Sequence, residues 1–201
     1  MNNELEYWEG EGGTKYAARN EPTEAEITKR TLALSKIVTR IKPLPKSILE
    51  VGSGPGANLA ALDRLFGESV YLFGCEPNES ARKMSELVCP SAIINDGHAS
   101  ALPAADGTFD LVLTAGVLIH ISPDRLSLAM DEIIRVSNRH IVCIEYFAPT
   151  CEPIKYYGDD RIWKNDFGKL YLEKGLKPVD SGFFWRQDSG YDNVVWSLLE
   201  K

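Results

Sequence analysis

The chain has 201 residues, of which 44% are hydrophobic and 25% charged, a balance that excludes wholesale disorder and suits one α/β domain. Lys and Arg number 22 against 29 Asp and Glu, and the net charge of −7 repels polyanions and argues against a nucleic-acid partner. No apolar run approaches the ~18 residues of a membrane span. The opening MNNELEYWEG lacks the basic-then-apolar pattern of a signal peptide, so a cytoplasmic location and no membrane partner are expected. Cys75, Cys89, Cys143 and Cys151 are scattered without a C-x-x-C or a histidine at ligand spacing, and free thiols with no metal site are expected.

In chain order, the first twenty residues are glycine-rich and punctuated by aromatics, which reads as a strap laid on the protein rather than a solvated tail. Thr23 opens T-E-A-E, a capping box in which Glu26 reaches back to the helix start. Leu34, Ile37, Val38 and Ile41 at helical spacing predict an amphipathic helix over 23–41, ended by Pro43 and Pro45. Ser47–Val51 reads as a strand, Ala57–Phe66 as a helix behind a glycine turn, and Val70–Cys75 as a second strand. Asn78 caps a helix carrying Ala81, Met84 and Val88, and a weak third strand at 92–94 precedes a strong fourth, Phe109–Thr114. Ser122-Pro123 opens a helix to about Val136, and Ile141–Tyr146 is the fifth strand. A polar-aromatic stretch over 150–166 leads into a helix ending near Gly175. Two last strands, at about 177–185 and 193–199, show no helix signal between them and read as an antiparallel edge hairpin. The alternation predicts a Rossmann-like, doubly wound, mostly parallel sheet with ligands at the carboxyl ends of strands one, two, four and five.

Gly52-Ser53-Gly54-Pro55-Gly56-Ala57 satisfies G-x-G-x-x-A, the pyrophosphate-binding fingerprint, as well as a closer-spaced G-x-G-x-G. Glu76, at the end of the next strand, suits either cofactor class, because a carboxylate grips a ribose diol in two places. Glu50 puts a second carboxylate beside the turn, which a pyrophosphate would avoid and a cationic, amino-acid-bearing cofactor tolerates. An NAD-dependent oxidoreductase and a non-catalytic cofactor-binding subunit of a partner enzyme remain the alternatives at this point.

The ordered set E-V-G-S-G-P-G, Glu76 and A-L-P-x-x-D-G-T-F-D-L-V, spread from about Ser47 to Tyr146, resembles the class I S-adenosylmethionine-dependent methyltransferases. The resemblance implies a seven-stranded sheet of order 3-2-1-4-5-7-6, with S-adenosyl-L-methionine as cofactor and S-adenosyl-L-homocysteine as product. It implies that Gly52, Gly54 and Glu50 meet the methionine end, that Glu76 and Pro77 hold the ribose, that His98 and Ala99 flank the adenine, and that Thr114 and Ala115 close the cofactor site. His98 stands where many relatives carry an Asp. A narrower resemblance is to the methylases associated with pseudaminic acid biosynthesis. It is carried by EYWEGEGGTKYAARN (6–20), GVLIHISPD (116–124), IEYFAP (144–149) and YYGDDRIWKNDFG (156–168). It implies O- or N-methylation of a small acceptor, an acidic sugar, nucleotide sugar or related metabolite.

One methyltransferase domain in three parts is expected: a strap and helix (1–46) capping the cofactor, the cofactor-binding core (47–146), and a substrate loop, helix and hairpin (147–201). In the strap, Trp8 and Tyr16 fold over the cofactor and Arg19 pairs with its carboxylate. His120 is the candidate general base, since imidazole suits proton removal near neutral pH. Glu145 and Tyr146 are the next catalytic candidates, one facing the crevice and the other away. Tyr156, Tyr157, Arg161, Trp163 and Lys164 form a candidate substrate lid, aromatics on ring faces and cations on a carboxylate or phosphate. A monomer or homodimer fits.

Overall fold

The computed structural model describes residues 3–156 and 159–201. Three helices come first: α1 (Asn3–Glu9), α2 (Glu11–Arg19) and α3 (Glu24–Val38). The core follows as β1 (Ser47–Val51), α4 (Ala57–Phe66), β2 (Tyr71–Cys75), α5 (Glu79–Val88), β3 (Ile93–Asn95), β4 (Phe109–Ala115), α6 (Pro123–Val136) and β5 (Ser137–Glu145). The chain closes with β6 (Glu152–Tyr156), β7 (Asp159–Lys164), α7 (Phe167–Glu173), β8 (Lys177–Phe184), α8 (Arg186–Ser189) and β9 (Val194–Glu200).

Seven strands make one sheet in the order β3-β2-β1-β4-β5-β9-β8, the expected order once the sheet strands alone are counted. β1 runs parallel to both β2 and β4, whereas β9 is antiparallel to β5 and to β8. Alternation along the central strands feeds two apolar layers. Ile48, Leu111, Leu113, Val142 and Leu198 face α3 and α4, while Leu49, Val112, Ile141, Cys143 and Leu199 face α6 and α7. Leu113, at 2% exposure, sits mid-sheet between Glu50 and Val142. Leu113→Ala is expected to cost about 2–5 kcal/mol, measured as a lower urea midpoint with unchanged slope.

Four elements differ from the sequence expectation. The strap before the long helix is itself two helices, because its glycines serve close packing rather than breaking the turn. A Cβ on Gly13 would lie 2.0 Å from the Trp8 carbonyl oxygen. The Thr23 hydroxyl accepts from the Glu26 N–H at 3.2 Å, but the Glu26 carboxylate turns to Arg30 instead of back to the cap, a stronger charge-assisted bond at 2.7 Å. The stretch 150–166 is an antiparallel hairpin, β6–β7, outside the main sheet. Its Ile162 is buried among Leu118, Ile119 and Leu126, the apolar anchor that makes it a strand rather than a loop. A single turn of helix, α8, interrupts the closing hairpin. All four cysteines are free. Among the described residues no helix is long and apolar enough to cross a membrane, and no cluster of His, Cys, Asp and Glu stands ready for a metal.

Candidate functional site

A crevice opens where β1, β2 and β4 end, roofed by α1 and α2 and flanked by α3. The turn after β1 forms its floor. Gly52 takes φ +68°, and a Cβ there would meet Val117 Cγ2 at 2.5 Å, so this position admits only glycine without displacing the β4 loop. The N–H groups of Gly52 and Ser53 donate to the Cys75 carbonyl at 2.7 and 3.2 Å, fastening the turn to the end of β2.

Four carboxylates line this space, Glu4, Glu26, Glu50 and Glu76, and of these Glu50 and Glu76 are buried. Glu76 accepts from the Gly54 N–H and the Asn78 N–H, each at 2.9 Å. Burial pushes its pKa up while those two donors pull it down. Glu50, 1% exposed, accepts from Asn58 Nδ2 at 2.6 Å through Oε1, and its Oε2 has no hydrogen-bond partner among the described residues. Burial pushes the Glu50 pKa up to about 8, with Asn58 and Arg30 opposing the rise. The Ser53 hydroxyl, also in the wall, is likewise buried without a partner among the described residues. Buried polar atoms without partners are costly, and two in one crevice wall mark a surface shaped for a polar ligand.

The roof is tied to the floor through Asn78. Its Oδ1 caps α5 by accepting from the Ala81 N–H at 3.1 Å, and its Nδ2 lies 3.0, 3.2 and 3.0 Å from the carbonyl oxygens of Trp8, Glu9 and Gly10. The carbonyls that end α1 thus converge on the amide of the residue two beyond Glu76, which has two hydrogens to share among them. Trp8 then reaches across the crevice, edge-on to the His120 imidazole at 4.6 Å and to Tyr16 at 5.4 Å.

Of the residues singled out in the sequence, Trp8, Tyr16, Glu50, Gly52, Gly54, Glu76, Pro77, His98, Ala99, Ala115 and His120 line this crevice together. Others lie elsewhere. Arg19 is exposed on the last turn of α2 with its guanidinium 5.7 Å from the Tyr16 ring, and the cations in the wall are Arg30 and Arg125. Thr114 is fully buried within β4, against Glu145. Glu145, 2% exposed, faces away from the crevice and works from behind it: the N–H groups of Val117 and Leu118 donate to its Oε1 at 3.1 and 3.2 Å. It therefore positions the 118–120 turn that carries His120, and burial pushes its pKa up to about 7 against those donors. The Tyr146 hydroxyl donates to Asp192. Trp163 and Lys164 are half-buried on β7, which packs against the 118–120 turn without lining the crevice. Tyr157 and the side chains of Tyr156 and Arg161 lie outside the described residues.

The sequence reading missed Arg30, Asn58 and Tyr191. Arg30 Nη1 and the Tyr191 hydroxyl both donate to Asn58 Oδ1, at 2.9 and 2.7 Å. The polar Arg and Asn on otherwise apolar helix faces were the only signal.

The fold is that of the class I methyltransferases. Solved structures of the same fold include the 1,6-didemethyltoxoflavin N1-methyltransferase of Burkholderia thailandensis with S-adenosylhomocysteine bound (TM-score 0.67, 16% identity, covering 89% of this chain and 79% of that one). The magnesium protoporphyrin IX methyltransferase of Synechocystis PCC 6803, also with S-adenosylhomocysteine, gives a TM-score of 0.71 at 12% identity, covering 98% and 97%. A SAM-dependent methyltransferase of Aquifex aeolicus gives 0.70 at 13%, covering 93% and 97%. At such identities the likeness is one of fold. No curated protein matches the chain in sequence. Residues 49–142 match the Methyltransf_11 family model, described as a methyltransferase domain. With that domain on this fold, the chain is a methyltransferase.

Proposed function

We propose that the enzyme methylates an oxygen or nitrogen of a small acidic metabolite, an acidic sugar or nucleotide sugar being the class favoured by its resemblance to pseudaminic acid-associated methylases. When bound, S-adenosylmethionine supplies an electrophilic methyl group on its sulfonium. The two buried carboxylates in the wall suit that cofactor: Glu76 for the ribose diol, and the unpaired Oε2 of Glu50 for the ammonium of the methionine end. His98 and Ala99 flank the adenine in this reading, with Pro77 beside the ribose. The oxidoreductase alternative loses its footing at Glu50, since a buried carboxylate beside the turn opposes a pyrophosphate.

The observation that carries the acceptor reading is the composition of the crevice beyond Ala115. Trp8, Ile121 and Val117 offer ring and apolar faces, His120 stands among them, and Arg125, exposed at the mouth on the first turn of α6, offers a cation. His120 takes the proton if the accepting group is a hydroxyl, and Trp8 orients its ring. Alignment of the acceptor and exclusion of water by the α1–α2 roof supply the rest of the rate.

The test is a methyl-transfer assay on nonulosonic acids and nucleotide sugars, each paired with a neutral amide or de-phosphorylated analogue. Acids are expected to turn over with kcat/KM at least about tenfold above their neutral partners, a gap that Arg125→Gln closes. Turnover of neutral acceptors with the acids ignored would overturn the acidic-substrate reading.

A further inference from the structure

The sheet face covered by α6 and α7 carries a second polar assembly, centred on Glu145. Three oxygen atoms are buried there without a hydrogen-bond partner among the described residues: Glu145 Oε2 at the end of β5, Thr114 Oγ1 on β4 and the Tyr171 hydroxyl on α7. Thr114 lies against Glu145, and Tyr171 is near enough to feel the charge of Glu145. A cleft wide enough for water and little else reaches Glu145 from this side, past Phe147, Asp166, Gly168 and Ser197. It shares no lining residue with the crevice.

The other oxygen of the same carboxylate serves the crevice. Oε1 accepts the N–H groups of Val117 and Leu118 at 3.1 and 3.2 Å, where the 118–120 turn begins. The first N–H groups of a helical turn have no acceptor within it, and here a side chain supplies one. The rest of the turn closes on itself: His120 N–H donates to the Val117 carbonyl at 3.0 Å and Ile121 N–H to that of Leu118 at 3.2 Å. Val117, His120 and Ile121 all line the crevice. One buried carboxylate therefore joins the rear cleft to the wall that an acceptor meets.

We propose that Glu145 is a positioning residue that works through its charge: ionised, it clamps the Val117–Leu118 backbone and fixes the His120 side of the crevice, and protonated from the rear cleft, it releases that turn. This rests on the crevice being the place of methyl transfer. The titratable groups that face Glu145 are Cys143 on its own strand, Tyr171 on α7 and Asp166 just before α7. Among the described residues lining the cleft none is a cation, so the two backbone donors are what favours the charged form. Burial pushes the Glu145 pKa up to about 7 against those donors, which puts the release near neutral pH. A neutral carboxyl is the weaker acceptor, because the bonds it receives are no longer charge-assisted.

The experiment follows backbone amides by nuclear magnetic resonance from about pH 5 to 9, in the wild type, Glu145→Gln and His120→Gln. The Val117 and Leu118 amide protons of the wild type are expected to move downfield together as pH rises, with a midpoint near 7. Over the same range, hydrogen exchange at His120 and Ile121, corrected for its intrinsic pH dependence, is expected to slow about tenfold. Glu145→Gln is expected to remove both steps and to exchange at the faster rate throughout. His120→Gln is expected to keep them, which separates the carboxyl from the imidazole. The wild-type titration stands on its own if Glu145→Gln does not fold. Amide protons that do not titrate, a step that survives in Glu145→Gln, or one lost in His120→Gln would overturn the proposal. Neither readout uses a substrate, so a failed acceptor screen bears on the proposed function alone.

Discussion

Glu50→Gln is expected to make the ligand-free protein more stable at pH 9 while lowering its affinity for S-adenosylhomocysteine about a hundredfold or more. The folded protein holds the Glu50 proton up to about pH 8, whereas an unfolded chain releases it near the ordinary carboxylate value of 4.5. Between those two values the folded state binds the extra proton, so stability falls as pH rises through the window and levels off above it. Glutamine carries no charge to desolvate and still accepts the Asn58 N–H, so it escapes that cost. The gain at pH 9 is on the order of 2–4 kcal/mol and vanishes at pH 4, where the wild-type carboxyl is neutral in both states. Affinity moves the other way, because the unpaired Oε2 that suits the cofactor ammonium no longer bears charge. Thermal midpoints at pH 4 and pH 9, with and without S-adenosylhomocysteine, check both halves. A variant destabilised at pH 9 would contradict the assignment of Glu50 as a buried acid whose ionisation is costly until a cationic ligand binds.

The second large effect belongs to Glu76. Glu76→Ala is expected to abolish measurable cofactor binding, a loss of about a hundredfold or more, since it removes the diol's acceptor and leaves the Gly54 and Asn78 N–H groups unpaired. Glu76→Gln keeps one acceptor oxygen and is expected to lose about tenfold. In the wild type, S-adenosylhomocysteine at about 100 times its Kd adds roughly 2.7 kcal/mol, a thermal shift on the order of 5–11 °C. The same concentration is expected to leave the midpoint of Glu76→Ala unmoved. A full shift in that variant would move the ribose site elsewhere.

The contrast between these carboxylates and Arg30 shows what the sequence could reveal. Gly52, Gly54, Glu50 and Glu76 fall within one strand–turn–helix–strand unit, where local spacing dictates position, so their convergence on one crevice could be read directly. Arg30, Asn58 and Tyr191 meet across separations of 28 and 133 residues, which no periodicity encodes. Arg19 is an exposed cation outside the crevice wall, on the last turn of α2 beside Tyr16, whereas Arg30 lies within that wall. Glu145 illustrates another limit. Strand alternation required that it and Tyr146 point to opposite faces, but only the packing of the 118–120 turn decided that Glu145 would support that turn from behind. Likewise the β6–β7 hairpin lies within a polar stretch whose apolar anchors, among the described residues, include Ile154 and Ile162.

The course of α1 also decides where extra chain can be attached. Glu4 and Leu5 line the crevice itself, so the first turn of α1 stands at its edge. Lys201 lies at the opposite rim of the sheet, where β9 pairs with the beginning of β5 and its Nζ donates to the carbonyls of Ile134 and Ser137 at 3.0 Å each. A purification tag or fluorescent fusion at the amino end would stand in the doorway and compete with incoming molecules. The same addition at the carboxyl end would hang from the far side and leave the measured kinetics those of the enzyme alone.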